Sequence, residues 1–249
     1  MRSWGLLLWN EWIKLWKRPG FFVPYLLLAI LAGGSAVIIH SIKADLFASG
    51  FDFTTGMLAP SGSGLLILIL AVSSSVKIVT QEYRYGTIKF LLIRSHSRAS
   101  ILTAKLAVSL LYTLTFTLFA FLAFFLAGGT TFGFTMAAGD TWNQLLLAGV
   151  YEWIFLVIYV LIALMIAVLT RSGGKAIGMG IFIAMLNDLS IPKPFFKYVL
   201  FPNTDLSVYA AGHPPMAGMT LGFSATMLAI YAGLVIGISY LLFCKRDVS

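Results

Sequence analysis

Charge is what this sequence has least of. Asp, Glu, Lys and Arg make up 10% of its 249 residues, against 59% hydrophobic. Soluble domains carry about 25% charged and about 45–50% apolar residues, so a soluble chain is excluded and a polytopic, all-α membrane protein is expected. Cysteine is nearly absent as well: Cys244 stands alone, which excludes an intrachain disulfide. The three histidines, His40, His96 and His213, are scattered and lack any metal-ligand spacing, so no metal site is expected. There is no G-x-S-x-G elbow. The loop Arg171 to Lys175 lacks the first glycine of a phosphate-cradling loop. No pair of membrane carboxylates shares a segment for acid–base work, and no internal repeat is evident. The chain is therefore not expected to be an enzyme by itself, and an intramembrane enzyme is the weakest of the function classes.

The charge that is present is unevenly placed. The net charge is +8, and of 17 Lys and Arg only Lys43, Lys193 and Lys197 fall in loops assigned to the outside. The other 14 gather at the N-terminus, around a central basic stretch, in the next inner loop and at the C-terminus. That is the positive-inside bias of a multi-pass protein of the cell (cytoplasmic) membrane with both termini in the cytoplasm. The basic balance thus reports topology, and no nucleic-acid partner is expected.

Residues 1–20 do not read as a cleavable signal, because Asn10 and Glu11 interrupt a short apolar run. As a helix they carry one polar stripe (Asn10, Glu11, Lys14, Lys17, Arg18), while Trp4, Trp12 and Trp16 spread over the remaining surface. This is the pattern of an interfacial helix in the headgroup plane of the lipid bilayer, anchored by its tryptophans together with Lys14 and Lys17. Six spans are expected in 21–249: about 21–39, 60–79, 106–127, 145–169, 176–191 and 223–243. The fifth is short for a crossing.

Between the second and third spans lies 81–105, the longest run that hydrocarbon cannot hold. It carries Arg84, Lys89, Arg94, Arg98 and Lys105 against Glu82 alone. Ile88, Leu91 and Leu92 fall at helical spacing, so this stretch reads either as an amphipathic helix that docks a partner or as a solvated basic loop that fixes topology. Ser97 or Ser100 is positioned to cap the helix that follows. Glu152 in the fourth span, beside Tyr151 and Trp153, reads as a pathway carboxylate or as a hydrated group at the outer interface. Asn187 and Asp188 end the fifth span, where Asp188 either contacts substrate or pairs with Lys193. The proline-broken segment 192–222 reads as dipping back into the outer leaflet. Gly233 and Gly237, four apart, permit close helix approach within the subunit or at a dimer seam.

Glu82, Gly86-Thr87, Leu91-Leu92, Ser97-Arg98 and Lys105, in this order, resemble the signature of ABC-2 type transporter permeases. Ser95 stands where many members have proline. The ending, with Phe243, Lys245, Arg246 and Asp247, is similar to that family's as well. The resemblance covers the whole chain. It implies an N-terminal elbow helix over 1–20, a cytoplasmic coupling helix within 81–105, and short external re-entrant helices over 192–222. It implies docking of an ABC ATP-binding subunit, two copies expected, through Glu82, Arg84, Gly86, Thr87, Arg94, Arg98 and Lys105. A second permease copy, as homodimer or sibling heterodimer, is also implied. No cofactor is expected in this chain, and ATP and Mg would sit on the partner subunit. The implied function is export of an amphipathic substrate, such as an antimicrobial peptide, drug or lipid-like compound. From another class, a self-contained secondary transporter or channel would use Glu152 or Asp188 as its coupling site.

Overall fold

The computed structural model describes residues 2–85, 97–136, 141–188, 191 and 193–245, with only the backbone given for 2–4 and 188. Gly86, Thr87, Arg94, the amphipathic stretch around Leu91 and the last residues of the C-terminal motif therefore lie outside the described residues. So do the side chains of Trp4 and Asp188.

Among the described residues every regular element is helical. Helix α1 is Arg2–Trp16 and α2 is Val23–Ile42, and a short α3, Gly50–Leu58, follows. Helix α4, Leu65–Arg84, is entered through a π-helical turn, Pro60–Gly64. Helix α5 is Arg98–Phe132, α6 is Trp142–Thr170, and α7 is Gly173–Met185. Two one-turn helices, α8 (Phe201–Thr204) and α9 (Ser207–Ala210), precede α10, Leu221–Lys245. Five of these helices (α2, α4 with its π turn, α5, α6 and α10) are long and apolar enough to cross a membrane. The sixth expected span is the 13-residue α7, about 20 Å long against a hydrocarbon core of about 30 Å.

Helices α4 and α6 form the middle of the bundle and α2 and α10 its flanks: 67% of the most apolar window of α6 is buried, but 17% in α2 and α10. The flanking helices turn Leu26, Ile30 and Val37, and Ile230, Leu234 and Leu241, outward. An apolar belt of this extent is not tolerated in water, and it makes this a membrane protein.

The helix ends are set locally. Ser97 caps α5, its hydroxyl accepting from the Ser100 amide at 3.2 Å, and Gly133 ends that helix at φ 91°. Thr141 and Gln144 form a reciprocal capping box at the start of α6. Gly128 and Gly129, just past the expected third span of about 106–127, lie within α5. A Cβ on Gly50 would fall 2.7 Å from the Gly129 nitrogen, so the glycines form a notch into which α3 packs.

Candidate functional site

The basic end of the bundle holds a ring of four charges. Lys105, on the second turn of α5, is 1% exposed. Its ammonium lies 2.9 Å from Glu11 Oε2 of α1 and 2.7 Å from Glu82 Oε2 of α4, and it also donates to the Ile78 carbonyl at 3.2 Å. Two of its three donors are used in hydrogen bonds, to Glu11 and Ile78, and the Glu82 contact is an ion pair only. Lys14 closes the ring, 2.5 Å from Glu11 Oε1 and 3.6 Å from Glu82 Oε1. A buried charge is tolerated only when paired and hydrogen-bonded, and this ring is internally neutral. Burial opposes ionisation of Glu11, but Lys105 and Lys14 outweigh it and hold its carboxyl below the usual range.

Leu7, Glu11 and Leu15 recur every four residues on α1 and are all buried. Glu11 therefore belongs to the face that docks on the bundle, although the sequence pattern groups it with the polar stripe. Trp12 packs partly against the core, whereas Trp16 and Lys17 are exposed. Arg18 follows the helix. Its Nη1 is buried without a hydrogen-bond partner, and burial draws the guanidinium below its usual pKa, partly countered by Glu11 and Glu82.

The candidate coupling residues thus divide. Glu82 and Lys105 lie inside the ring. Arg84 is exposed, its guanidinium 6.0 Å from the Tyr85 ring. Arg98 donates through Nη1 to the Cys244 carbonyl at 3.3 Å, tying the start of α5 to the end of α10. Beside that contact, the Thr103 and Tyr240 hydroxyls meet at 2.5 Å. Arg171, in the left-handed region at φ 53°, caps α6 and sits over Tyr83 of α4.

The second polar feature lies toward the opposite end. Glu152 of α6 is 1% exposed, and neither carboxylate oxygen has a hydrogen-bond partner. Glu152 is thus enclosed by the chain's own residues. It faces the break before α4, where Gly62 leaves helical geometry at φ −90°, ψ −117°. A Cβ on Gly64 would lie 2.8 Å from the Ala59 carbonyl oxygen and 3.0 Å from Glu152 Oε2, so the glycine lets this turn close beside the carboxylate. The neighbouring Trp153 Nε1 is also buried and unpartnered. A cavity of about 370 Å³ opens nearby, lined in part by Asp52, Gln144, Tyr151 and Ser207.

Asn187 joins α6 to the external segment. Its side-chain oxygen accepts from the Tyr159 hydroxyl at 3.2 Å and from Thr204. Asn203, which sequence reasoning missed, fastens the external segment: its amide donates to the Lys197 and Val199 carbonyls, and its oxygen accepts from Ser224 of α10. Its position inside a proline-broken loop gave no signal of that role. Gly233 and Gly237 face open space, so no described element of this chain packs against them. Among the described residues no cluster of His, Cys, Asp or Glu is arranged to hold a metal ion.

The chain is similar over nearly its whole length to two Bacillus subtilis (strain 168) proteins. "Uncharacterized protein YhcI" is 32% identical over 309 residues, covering 98% of this chain and 99% of that protein. "Uncharacterized membrane protein YdbK" is 28% identical over 249 residues, covering 95% and 99%. A family model described as protein of unknown function (DUF2705) matches residues 22–249, and the chain belongs to that family.

Proposed function

We propose that this chain is the membrane permease subunit of an ATP-driven exporter of the ABC-2 type, moving an amphipathic substrate out of the cytoplasm. It receives energy from a separate ATP-binding subunit that engages the segment between α4 and α5. In this scheme the termini are cytoplasmic, α1 is the elbow helix, and the segment between α7 and α10 is re-entrant on the outside. Two permeases and two ATP-binding subunits form the working assembly.

The observation that carries this reading is the ring in which buried Glu11, Glu82 and Lys105 are closed by exposed Lys14. It joins α1 to the two helices that flank the basic segment. A push on that segment reaches α1, α4 and α5 as one body, because separating them would strand buried charges at a cost of about 3–5 kcal/mol. Exposed Arg84 is the residue most available to an acidic partner surface, whereas Glu82 and Lys105 act by holding the helices together.

The test is affinity purification of the tagged chain in mild detergent with ATPase activity measured on the eluate, comparing wild type with Arg84→Glu and Arg98→Glu. The expected result is a co-eluting ATPase that the charge reversals release while the permease stays monodisperse. Elution alone under every condition overturns the reading.

A second reading, a self-contained secondary transporter or channel, is favoured by one observation: Glu152 is buried with both oxygens unpartnered. Its signature is gradient-driven transport by the lone chain in proteoliposomes, abolished by Glu152→Gln.

A further inference from the structure

The four-charge ring leaves two cations over. Glu11 and Glu82 each have both oxygens engaged by Lys14 and Lys105. Arg18 and Lys77 have no carboxylate of their own among the described residues, and both line one cleft of about 290 Å³ between the end of α1, α4 and α5. Its other walls divide by polarity. Leu15, Phe21 and Tyr112 form an apolar side, while Ser74, Gln81 and Tyr85 offer hydroxyl and amide groups.

Three features of this cleft call for an anion. Arg18 Nη1 is buried without a hydrogen-bond partner, and an orphaned guanidinium donor in a native structure implies a missing acceptor. The cleft carries two positive charges, neither in an ion pair with a carboxylate among the described residues, although Glu11 and Glu82 lie close enough to Arg18 to offset part of its charge. Its volume is at the lower limit of about 300–1,000 Å³ for small-molecule sites, which suits a phosphate and the glycerol beside it rather than a whole drug-sized ligand.

Its position selects the kind of phosphate. Lys77 precedes Glu82 by five residues on α4, so it lies about 7.5 Å further toward the bilayer centre than the ring. Trp16 and Phe22 flank the cleft with exposed rings, the residue types that settle at the membrane–water boundary. A free anion would have to leave water to reach this depth, whereas a phospholipid brings its phosphate there already. Basic pockets between helices at such depths recognise acidic headgroups.

We propose that this cleft is a binding site for the phosphodiester of an anionic phospholipid, held by Arg18 and Lys77. Occupancy would offset one of the two positive charges and pin the α1–α2 turn to α4. The site stands on charge and geometry at this end of the bundle and does not depend on an ATP-binding partner.

The experiment is native mass spectrometry of the delipidated chain in an uncharged detergent, titrated with phosphatidylglycerol, phosphatidylcholine or millimolar inorganic phosphate, with the thermal midpoint read in parallel. Wild type is expected to retain phosphatidylglycerol and to be stabilised by it, but not by phosphatidylcholine. Arg18→Gln and Lys77→Gln should each weaken retention about fivefold, and the pair should weaken it by the product. Lys17→Gln, an exposed cation outside the cleft, should retain lipid as wild type does. Should Arg18→Gln fail to fold, exposed Lys77→Gln alone carries the test. Equal binding of phosphatidylcholine, or unchanged retention in Lys77→Gln, overturns the site. Displacement of phosphatidylglycerol by inorganic phosphate overturns the lipid assignment in favour of a soluble phosphate.

Discussion

Lys105 is held by three partners from three different parts of the chain: Glu11, Glu82 and the Ile78 carbonyl. Replacing it with methionine keeps the volume and leaves two buried carboxylates with Lys14 alone. Lys105→Met is therefore expected to cost about 3–5 kcal/mol, read as a lowered thermal midpoint in detergent. Adding Glu11→Gln to Lys105→Met removes one stranded carboxylate and should recover part of that loss. The same ring sets a pH dependence. The Glu11 pKa is lowered in the fold from an ordinary value of 4.5, so its contribution is fully present above about pH 4.5 and is lost as pH falls through the lower folded value. The midpoint should hold from neutrality down to about pH 5 and drop below, and Glu11→Gln should flatten that drop. A slope as steep in Glu11→Gln as in wild type would remove Glu11 as its source. The sequence marked Glu82 and Lys105 as special through their place in a basic stretch. It gave no hint that Glu11 faces the bundle, because its buried partner Lys105 lies 94 residues away and helical periodicity reports only neighbours on the same helix, such as Lys14.

At the level of elements, the long helices were legible because a bilayer crossing requires an apolar run of about 20 residues, and no shorter-range signal competes with it. Ser97 was legible for the same kind of local reason, since its hydroxyl bonds the amide three residues on. Ser97→Ala should cost about 1 kcal/mol and loosen the first turn of α5, measurable as faster amide exchange over residues 98–101. Helix α3 was not legible. It is nine residues long, it contains Asp52 and two threonines, and its burial depends on Gly128 and Gly129 of another helix. In sequence those glycines read as a terminus, but in the fold they are the notch that admits α3. Gly50→Ala puts a Cβ 2.7 Å from backbone that cannot rotate away, so a loss of about 1–3 kcal/mol is expected. Gly33→Ala, where a Cβ meets nothing within 4 Å, is the matched control and should leave the thermal midpoint unchanged or slightly raised. If Gly50→Ala matches that control, the close approach of α3 is not what holds this end together.

For the whole molecule, the decisive quantity is the direction in which the bundle faces. The charge ring, Arg18, Lys77, Arg84 and Arg98 share one end, and the Arg98 contact with the Cys244 carbonyl brings the end of α10 to it. Lys43 follows α2 directly, one full crossing away from that end. If the positive-inside bias governs insertion, the ring end is cytoplasmic, and both the ATP-binding partner and the anionic leaflet are within its reach. Cys244 makes this measurable without engineering, because it is the one cysteine in the sequence and it is exposed. A membrane-impermeant maleimide should leave it unlabelled in intact cells and label it in inverted vesicles, and Cys244→Ser should abolish the signal. On that cysteine-free background, Lys43→Cys should show the reverse pattern. Labelling of Cys244 in intact cells would turn the ring outward, away from cytoplasmic ATP. The exporter reading would then fail even if every contact in the ring were correct, because a coupling surface works only on the side where its energy source is.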